Sequence, residues 1–561
     1  MSEVSANDTR PAVAVSGSLT FGPAAPGPDT VAGSGSGNGN GASSRQWSLG
    51  SMPVALGVFA AFLLAPLPWI AIYFVPPINH DAAALLHFAS RWLAGERLYV
   101  DLIDINPPLI FILNLIPAAI DRMTPINGPT ALVLCALAWV AVGIWFCIRL
   151  LALTPGRAGE IRRYLLLPLL LFLTIVYPGT EFGQRESLML AAALPYLLLA
   201  EARMNRREPP RALLLAVAAF AAIGFALKPH FLLIPLLIET CVLTTIGWRA
   251  LARDPVPWAL ATIFLLHVLF IVFVTPRYFD TVVPLAMQQY LSLGGLGPWG
   301  VLLRSALTPT AALFIPLAIA ALLVQPPLAR LAAAGALAGI VIATVQAKGW
   351  PYHLLPAETF VMLTAGALLS AAADLFLPVE EVRRRGLQVL LLTTLMLGVY
   401  YVSALTRPTF WRQAAFPNSQ AGQLIKRFGN QLASGPVLVL SPGLYPHFPV
   451  INYTGSTLAM RFMTLWPIQG AYARCTGDRR MFRPPAEMGR EERYAFEAII
   501  DDFLRMRPTT VVIDKIPGIP MCSGEDFDFL RYFRQSSRFA QTFDRYRLIG
   551  EYDRYRVYAR P

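Results

Sequence analysis

Several acidic residues lie close to predicted membrane spans, where an ionised carboxylate is costly and therefore usually functional. Asp81 follows the first apolar stretch, in the segment INHDAAALLHFASRWLAGERLYVDLIDINPPL, which also contains Asp101 and Asp104. Glu186 begins a later apolar stretch, in GQRESLML. A carboxylate in such a position can take a proton from a hydroxyl group and so make that group a nucleophile.

Cationic and aromatic residues border other apolar stretches. Cations placed where negative charge develops stabilise a departing anion. The candidates for this role are Arg185, Lys228, Arg277, Lys348 and His353, and further candidates for substrate contact are His80, His230 and Tyr352. Acids and cations of this kind need a scaffold that brings them together, and the rest of the sequence indicates which one.

The composition is that of a polytopic membrane protein. Of 561 residues, 55% are hydrophobic and 14% are charged, and the mean hydropathy is +0.52. Residues 1–48 differ, since they are rich in Ser, Gly, Ala and Pro and predict a disordered cytoplasmic tail. The apolar run that begins near Met52 is long enough to span a bilayer, which indicates an anchor and not a cleaved signal.

Eleven apolar stretches could cross a bilayer core, which takes about 20 helical residues. The predicted spans are 52–76, 129–152, 164–178, 187–202, 212–228, 230–247, 256–274, 299–324, 327–346, 354–377 and 386–404. The stretch 107–121 is shorter and begins with Pro-Pro, so we interpret it as a juxtamembrane helix at the outer face.

The distribution of arginine sets the orientation through the positive-inside rule. Arginines are concentrated in alternate loops, which we predict to be cytoplasmic: 149–163, 203–211, 249–253, 330 and 383–385. The intervening loops hold about one cation apiece. All the candidate site residues then fall on the same outer face, so one outer site accounts for them.

Residues 405–561 have the composition of a soluble domain on that outer side. Residues 436–440 and 510–513 predict short buried strands, 491–505 have helical periodicity, and the end of the chain alternates like a terminal hairpin. The region has 22 Lys and Arg against 14 Asp and Glu. This excess of positive charge suits binding to an anionic lipid or glycolipid surface, and the alternative is a basic face that is merely solvated. We predict three parts: the tail 1–48, a transmembrane domain 49–404 and an α/β domain 405–561.

Cysteines and missing motifs limit the classes of function. Cys475 and Cys522 fall in the outer region and could form a disulfide in an oxidising compartment, whereas Cys135, Cys147 and Cys241 lie in predicted spans. No Gly-rich phosphate loop follows a strand, and no Cys/His spacing is typical of zinc, so no nucleotide is expected and a divalent metal ion stays open. The net charge of +12 is spread over membrane loops and the outer domain, which argues against nucleic acid as a partner.

The segment INHDAAALLHFASRWLAGERLYVDLIDINPPL resembles the first outer loop of the GT-C glycosyltransferases, and most of all the family 39 type, which includes protein O-mannosyltransferases and aminoarabinose lipid A transferases. In that family an acid follows the first span, an amphipathic helix lies along the membrane, and Pro-Pro-Leu opens the next helix. Here these features are Asp81, residues 82–94, and Pro107, Pro108 and Leu109. The resemblance covers residues 52–230.

The resemblance implies a GT-C-like fold and a membrane enzyme that moves a sugar from a polyprenyl phosphate to a glycolipid or glycan, such as a lipopolysaccharide component. Asp81 takes the place of the catalytic acid, and Glu186 that of an acid for which many members have Asp. Many members also have Asp-Glu where this chain has Asp81 and Ala82. The cations would hold the donor phosphate. The enzyme would lie in a bacterial inner membrane among its lipids, with the site and the C-terminal domain facing the periplasm.

Every candidate also has a structural interpretation. Asp81 could be only the N-cap of a helix, and Glu186 could form an ion pair with Arg185. Lys228 and Lys348 could extend toward lipid headgroups. The other structural readings are solvated turn residues (Asp101, Asp104), hydrogen-bonded histidines (His230, His353) and an interfacial aromatic belt (Trp350, Tyr352).

Three other functions stay open. A polymerase or ligase acting on lipid-linked glycan would share the cationic outer face, although its typical Arg-rich outer loop is missing from 275–298. A transporter or flippase would favour ionisable groups at mid-membrane, where Glu239 is the main acid. A noncatalytic assembly subunit would have much the same sequence.

Overall fold

A computed structural model describes residues 64, 66–291, 293–376, 409–475 and 480–561. The predicted tail 1–48, most of the first predicted span, the last predicted span at 386–404 and the predicted domain boundary at 404–405 lie outside these residues.

Within the described residues, seven helices are long and apolar enough to cross a membrane: Gly128–Leu151, Arg185–Met204, Pro229–Ile246, Pro255–Val274, Leu307–Val324, Pro327–Val345 and Pro351–Ala372. Two shorter apolar helices are Leu165–Val176 and Arg211–Ala226. Each of these helices coincides with one of the predicted spans between 129 and 377. The predicted span 299–324 is shortened, because a separate helix, Gly297–Arg304, ends before Leu307.

The other helical segments are short or lie outside the spans. Those before residue 300 are Leu67–Tyr73, His80–Leu93, Pro108–Met123, Gly179–Glu181, Trp248–Arg253, Tyr278–Val282, Val283–Leu285 and Ala286–Tyr290. The apolar helix Leu165–Val176 is the end of a longer helical run, Gly156–Leu171 followed by Phe172–Val176. Those of the C-terminal region are Thr409–Ala415, Phe416–Asn418, Gln420–Ala433, His447–Thr454, Trp466–Ala471, Pro485–Glu487, Arg490–Met506, Phe529–Phe533 and Ser537–Phe543. The last apolar helix continues from Ala372 to Phe376.

Ion pairs join the ends of the spans that are predicted to be cytoplasmic. Arg203 donates to Glu239 at 2.6 and 2.8 Å and to Asp254 at 2.6 Å, and Arg162 pairs with Glu201. Glu239, the main acid predicted inside a span, is therefore neutralised by an arginine at one end of the bundle. The candidate site residues Arg185 and Glu186 begin the same helix that ends next to Arg203, so they lie at the opposite end.

The helix His80–Leu93 is held between the bundle and the C-terminal region. Its residues from Asp81 to Ala89 are buried. Three hydrogen bonds connect it to the C-terminal region: Asn452 to the carbonyl of Ala83 (3.0 Å), the Leu458 amide to His87 (3.2 Å) and Arg91 to the carbonyl of Met460 (2.8 Å). The amphipathic helix expected along the membrane thus also supports the soluble part of the chain.

The C-terminal region contains a four-stranded mixed sheet, as expected for an α/β fold. Its strands are β1 (Val437–Leu440), β2 (Thr510–Asp514), β3 (Arg547–Tyr552) and β4 (Tyr555–Ala559), in the order β1-β2-β4-β3. β1 and β2 are parallel and fully buried, which explains their continuous apolar sequence, and β3 and β4 form the predicted terminal hairpin. The mainly α polytopic class with a C-terminal α/β part is confirmed. Cys475 and Cys522 form a disulfide with their Cα atoms 5.2 Å apart.

Candidate active site

A cavity of about 680 Å³ lies between the bundle and the C-terminal region. The predicted site residues that line it are His80, Asp81, Asp104, Arg185 and Tyr352. Other polar or aromatic residues that line it are Asn106, Glu181, Tyr290, Trp350, Ser441, Tyr445, Thr464, Trp466, Gln469, Asp514, Arg554 and Tyr555. One cavity therefore joins residues from distant parts of the chain.

Asp81 lies in the first turn of its helix but does not cap it. The N-cap is Asn79, whose Oδ1 accepts hydrogen bonds from the amides of Asp81 (2.9 Å) and Ala82 (3.2 Å). The interpretation of Asp81 as only a helix cap is therefore wrong. Its carboxylate is left for contacts in the cavity.

The carboxylate of Asp81 is surrounded by groups that favour its charged form. Burial opposes ionisation, yet His80 and Arg185, each 3.6 Å away, and the Gln184 amide, which donates to Oδ2 at 2.7 Å, hold the pKa of Asp81 below its usual value. Asp81 is therefore ionised near neutral pH. An ionised carboxylate at a cavity wall can accept a proton.

A second carboxylate, Glu181, shares a hydrogen-bond donor with Asp81. The Gln184 amide that bonds Asp81 also lies 3.5 Å from Glu181, which accepts a further bond from Asn79 at 3.0 Å. Burial and then the charge of Asp81 raise the pKa of Glu181 to about 7. Neither Glu181 nor Gln184 is among the site residues predicted from the sequence, although both lie within five residues of Glu186.

Asp104 is the third acid of the cavity wall. It accepts hydrogen bonds from the backbone and side-chain amides of Asn106 at 2.9 and 2.5 Å, and burial raises its pKa. Asn106 also accepts a hydrogen bond from Arg185. Asp104 is thus a buried residue that orders the loop beside Arg185, and not a solvated turn residue.

Arg185 is the cation that directly lines the cavity beside Asp81. Its side chain is 6% exposed, and its Cζ lies 6.0 Å from the centroid of the Tyr352 ring. Its Nε is buried without a hydrogen-bond partner in the described part of the chain. The guanidinium is therefore fixed in place with one donor unused.

Glu186 pairs with Lys228 and not with Arg185. The ammonium of Lys228 donates to Oε1 of Glu186 at 2.5 Å, and Glu186 is completely buried. Neither residue is among those that line the cavity, although Lys228 lies 5.1 Å from the ring of Tyr352, which does. The structure therefore does not bring Glu186 to the cavity wall together with Asp81.

The ammonium group of Lys348 lies against two aromatic rings behind the cavity wall. Its ammonium is 3.2 Å from the centroid of Tyr290 and 4.8 Å from that of Trp350, and it donates to the carbonyl of Tyr290 at 3.1 Å. Within the described residues no carboxylate pairs with it. Burial and then the charge of Lys228 lower the pKa of Lys348 to about 7. An anion in the cavity would stabilise its charged form.

The remaining predicted residues do not line the cavity. Asp101 pairs with Arg97 at 3.0 Å, and Arg277 is exposed. His353 packs against Trp350 and Tyr352, and ring nitrogens of His353 and His230 are buried without partners in the described part. Within the described residues no three His, Cys, Asp or Glu side chains are grouped as metal ligands.

No protein-family model and no curated protein sequence matches this chain. Among solved structures it is similar to ArnT from Cupriavidus metallidurans. The apo state is 14% identical, with 90% of this chain and 98% of that chain covered and a TM-score of 0.48. The state bound to undecaprenyl phosphate is 13% identical, with 91% and 98% covered and a TM-score of 0.49. ArnT is an aminoarabinose lipid A transferase of the GT-C type.

Proposed function

We propose that the protein is an integral-membrane glycosyltransferase that moves a sugar from a polyprenyl-phosphate donor to an acceptor, a glycolipid or glycan at the outer face of the membrane. One observation carries this proposal. An ionised carboxylate, Asp81, and an arginine, Arg185, line a single cavity at one end of a bundle of apolar helices. In this proposal the lipid-linked substrate enters the cavity from the membrane.

The proposed reaction is a displacement at the sugar carbon that is bonded to the phosphate oxygen. Asp81 accepts the proton of the acceptor hydroxyl while the hydroxyl oxygen forms a bond to that carbon. The bond between the carbon and the phosphate oxygen breaks, and its electron pair stays with the phosphate. Arg185 and Lys348 stabilise the negative charge that develops on the leaving group.

The pair of Lys228 and Glu186 has a supporting role in this proposal. Glu186 balances the charge of Lys228, which would otherwise lie buried beside Arg185. Lys228 in turn lies below the ring of Tyr352. We assign Glu186 to the positioning of the cations, and Asp81 alone to proton transfer.

The proposed location is a bacterial inner membrane, with the cavity and the C-terminal region on the periplasmic side. The distribution of arginine supports this orientation. The disulfide between Cys475 and Cys522 also supports it, because disulfides persist in the periplasm and are rare in the cytosol.

The proposal is tested with purified protein in lipid, a panel of radiolabelled polyprenyl-phosphate sugars and a bacterial glycolipid extract as acceptor. The native protein is expected to transfer label to the glycolipid. Lys348→Gln is expected to raise the donor KM about tenfold, because the positive charge behind the cavity wall that attracts the phosphate is lost.

The matched control is Arg277→Gln, which removes an exposed cation outside the cavity. It should leave the donor KM unchanged. Equal effects of the two substitutions would contradict the placement of the phosphate near Lys348, and absence of transfer from every donor would contradict the proposed function.

A further inference from the structure

Part of the cavity wall comes from the C-terminal sheet, at the carboxyl ends of its two parallel strands. β1 and β2 run parallel. The lining includes the segment after β1, from Ser441 to Tyr445, and the end of β2 with the segment after it, at Asp514, Pro517 and Gly518. Tyr555 pairs with Asp514 in the register of β4 and lines the cavity as well. The carboxyl ends of parallel strands are where open α/β sheets bind ligands.

Three side chains at this edge, Ser441, Asp514 and Arg554, form a hydrogen-bonded polar cluster. Asp514 is 3% exposed, and it accepts hydrogen bonds from the Ser441 hydroxyl at 3.0 Å and from two nitrogens of Arg554 at 2.7 and 2.9 Å. The cluster has no net charge. The Arg554 side chain is 31% exposed, so part of its guanidinium is accessible from the cavity that it lines.

Trp466 adds an unused hydrogen-bond donor to the same wall. The residue is 7% exposed, and its indole Nε1 is buried with no hydrogen-bond partner in the described part of the chain. Its ring packs edge-on against Tyr290 at 5.9 Å, and both residues line the cavity. A buried donor of this kind is satisfied when a ligand brings an acceptor atom.

The two walls therefore differ in the chemistry that they offer. The bundle side has Arg185, with Lys348 behind it, and suits an anion. The sheet side has a neutral ion pair, hydroxyl and amide groups, and the rings of Tyr445, Tyr555 and Trp466. Flat apolar faces beside hydrogen-bonding groups of both kinds match a sugar ring, which has apolar C–H faces and hydroxyl groups on its rim.

We propose that Ser441, Asp514, Arg554 and Trp466 form an acceptor subsite that binds a neutral sugar ring. The inference deepens the proposed function, since it assigns the phosphate-linked sugar to one wall of the cavity and the sugar that receives it to the other. The acceptor hydroxyl would then point across the cavity toward Asp81.

The test uses the full-length protein in lipid nanodiscs and a panel of uncharged methyl glycosides, with binding measured by saturation-transfer NMR. Wild-type protein is expected to bind at least one glycoside. Trp466→Phe removes the indole donor and keeps an aromatic ring, and Arg554→Lys removes the planar pair with Asp514. Each is expected to weaken glycoside binding about tenfold.

The matched control is Arg556→Lys. Arg556 also pairs with an acid, Glu551, at 2.9 Å, but it does not line this cavity. It should leave glycoside binding unchanged, and thermal unfolding of all variants checks that they fold.

Binding of undecaprenyl phosphate, measured with the same proteins, separates this inference from the proposed function. Unchanged lipid affinity in Trp466→Phe and Arg554→Lys, with weaker glycoside binding, supports the subsite. Equal glycoside binding in all proteins, or binding of glucose 1-phosphate without any uncharged glycoside, would overturn the subsite but not the donor site.

Discussion

Single residues decide whether the cavity can do acid–base chemistry. The sequence identified Asp81 and Arg185, because charged side chains beside apolar stretches are conspicuous. It could not identify the role of Glu181, which depends on the short helical turn Gly179–Glu181 and on the shared Gln184 amide. The structural interpretation of Glu186 paired it with Arg185, whereas its partner is Lys228, which lies 42 residues further along the chain, just before the short helix Pro229–Leu232.

The raised pKa of Glu181 predicts that binding of the donor depends on pH. With a pKa of about 7, Glu181 is neutral below that pH and negatively charged above it. The added charge beside Asp81 repels a phosphate, so undecaprenyl phosphate affinity should fall as the pH rises from 6 to 8. In Glu181→Gln the loss of affinity between pH 6 and pH 8 should be smaller than in the native protein, by a factor of up to about ten.

Calorimetric titration of the native protein and Glu181→Gln with undecaprenyl phosphate, from pH 6 to pH 8, measures these affinities. Lys348 also titrates near pH 7 and weakens binding in both proteins as it loses its proton. The difference between the two profiles therefore reports Glu181, and superimposable profiles would show that Glu181 does not ionise near the phosphate.

At the level of elements, the helix His80–Leu93 sets the position of Asp81. Its start depends on Asn79, which caps the helix and also donates to the Thr180 carbonyl at 2.9 Å and to Glu181 at 3.0 Å. The helix and its residue range follow from the apolar periodicity of the sequence. Which residue caps the helix does not follow from the sequence, because both Asn79 and Asp81 are residue types that favour the N-cap position.

Asn79→Ala should therefore harm both stability and activity. Loss of the cap is expected to cost about 1 kcal/mol of unfolding free energy. Transfer should fall more than this loss explains, because Asp81 is no longer fixed relative to Glu181 and Gln184. Thermal unfolding and transfer rate are measured on the same preparation.

Asn127→Ala provides the matched control, since Asn127 caps the helix Gly128–Leu151 by accepting from the Thr130 amide at 3.0 Å and does not line the cavity. It should destabilise the protein to a similar extent and leave transfer intact. A similar loss of transfer in both variants would mean that only global stability is involved.

For the whole molecule, hydropathy predicted most of the architecture. The nine predicted spans within the described residues correspond to apolar helices, and the two predicted strands and the hairpin form one sheet. The cavity itself was beyond sequence reasoning, because the wall formed by Ser441, Asp514 and Arg554 depends on how the C-terminal region packs on the helix His80–Leu93. Nothing in local periodicity encodes that contact.

The proposed orientation predicts which loops are accessible from outside the cell. Asp280→Cys and Asn205→Cys introduce thiols at exposed positions on loops predicted to lie on opposite faces, in a background where Cys135, Cys147 and Cys241 are Ala. A membrane-impermeant maleimide that reaches the periplasm should label Asp280→Cys in intact cells, and Asn205→Cys only after the inner membrane is permeabilised. The reverse pattern would put the cavity on the cytoplasmic side.

The most direct test of the central claim, that Asp81 is the base of a glycosyl transfer, compares native protein, Asp81→Asn and the control Asp101→Asn in the transfer assay, together with undecaprenyl phosphate binding. Asp101 belongs to the same loop but pairs with Arg97 outside the cavity. Asp81→Asn should lower the transfer rate about 10²- to 10⁴-fold while lipid binding is kept, and Asp101→Asn should remain active. Undiminished transfer by Asp81→Asn would contradict the assignment of Asp81 as the base.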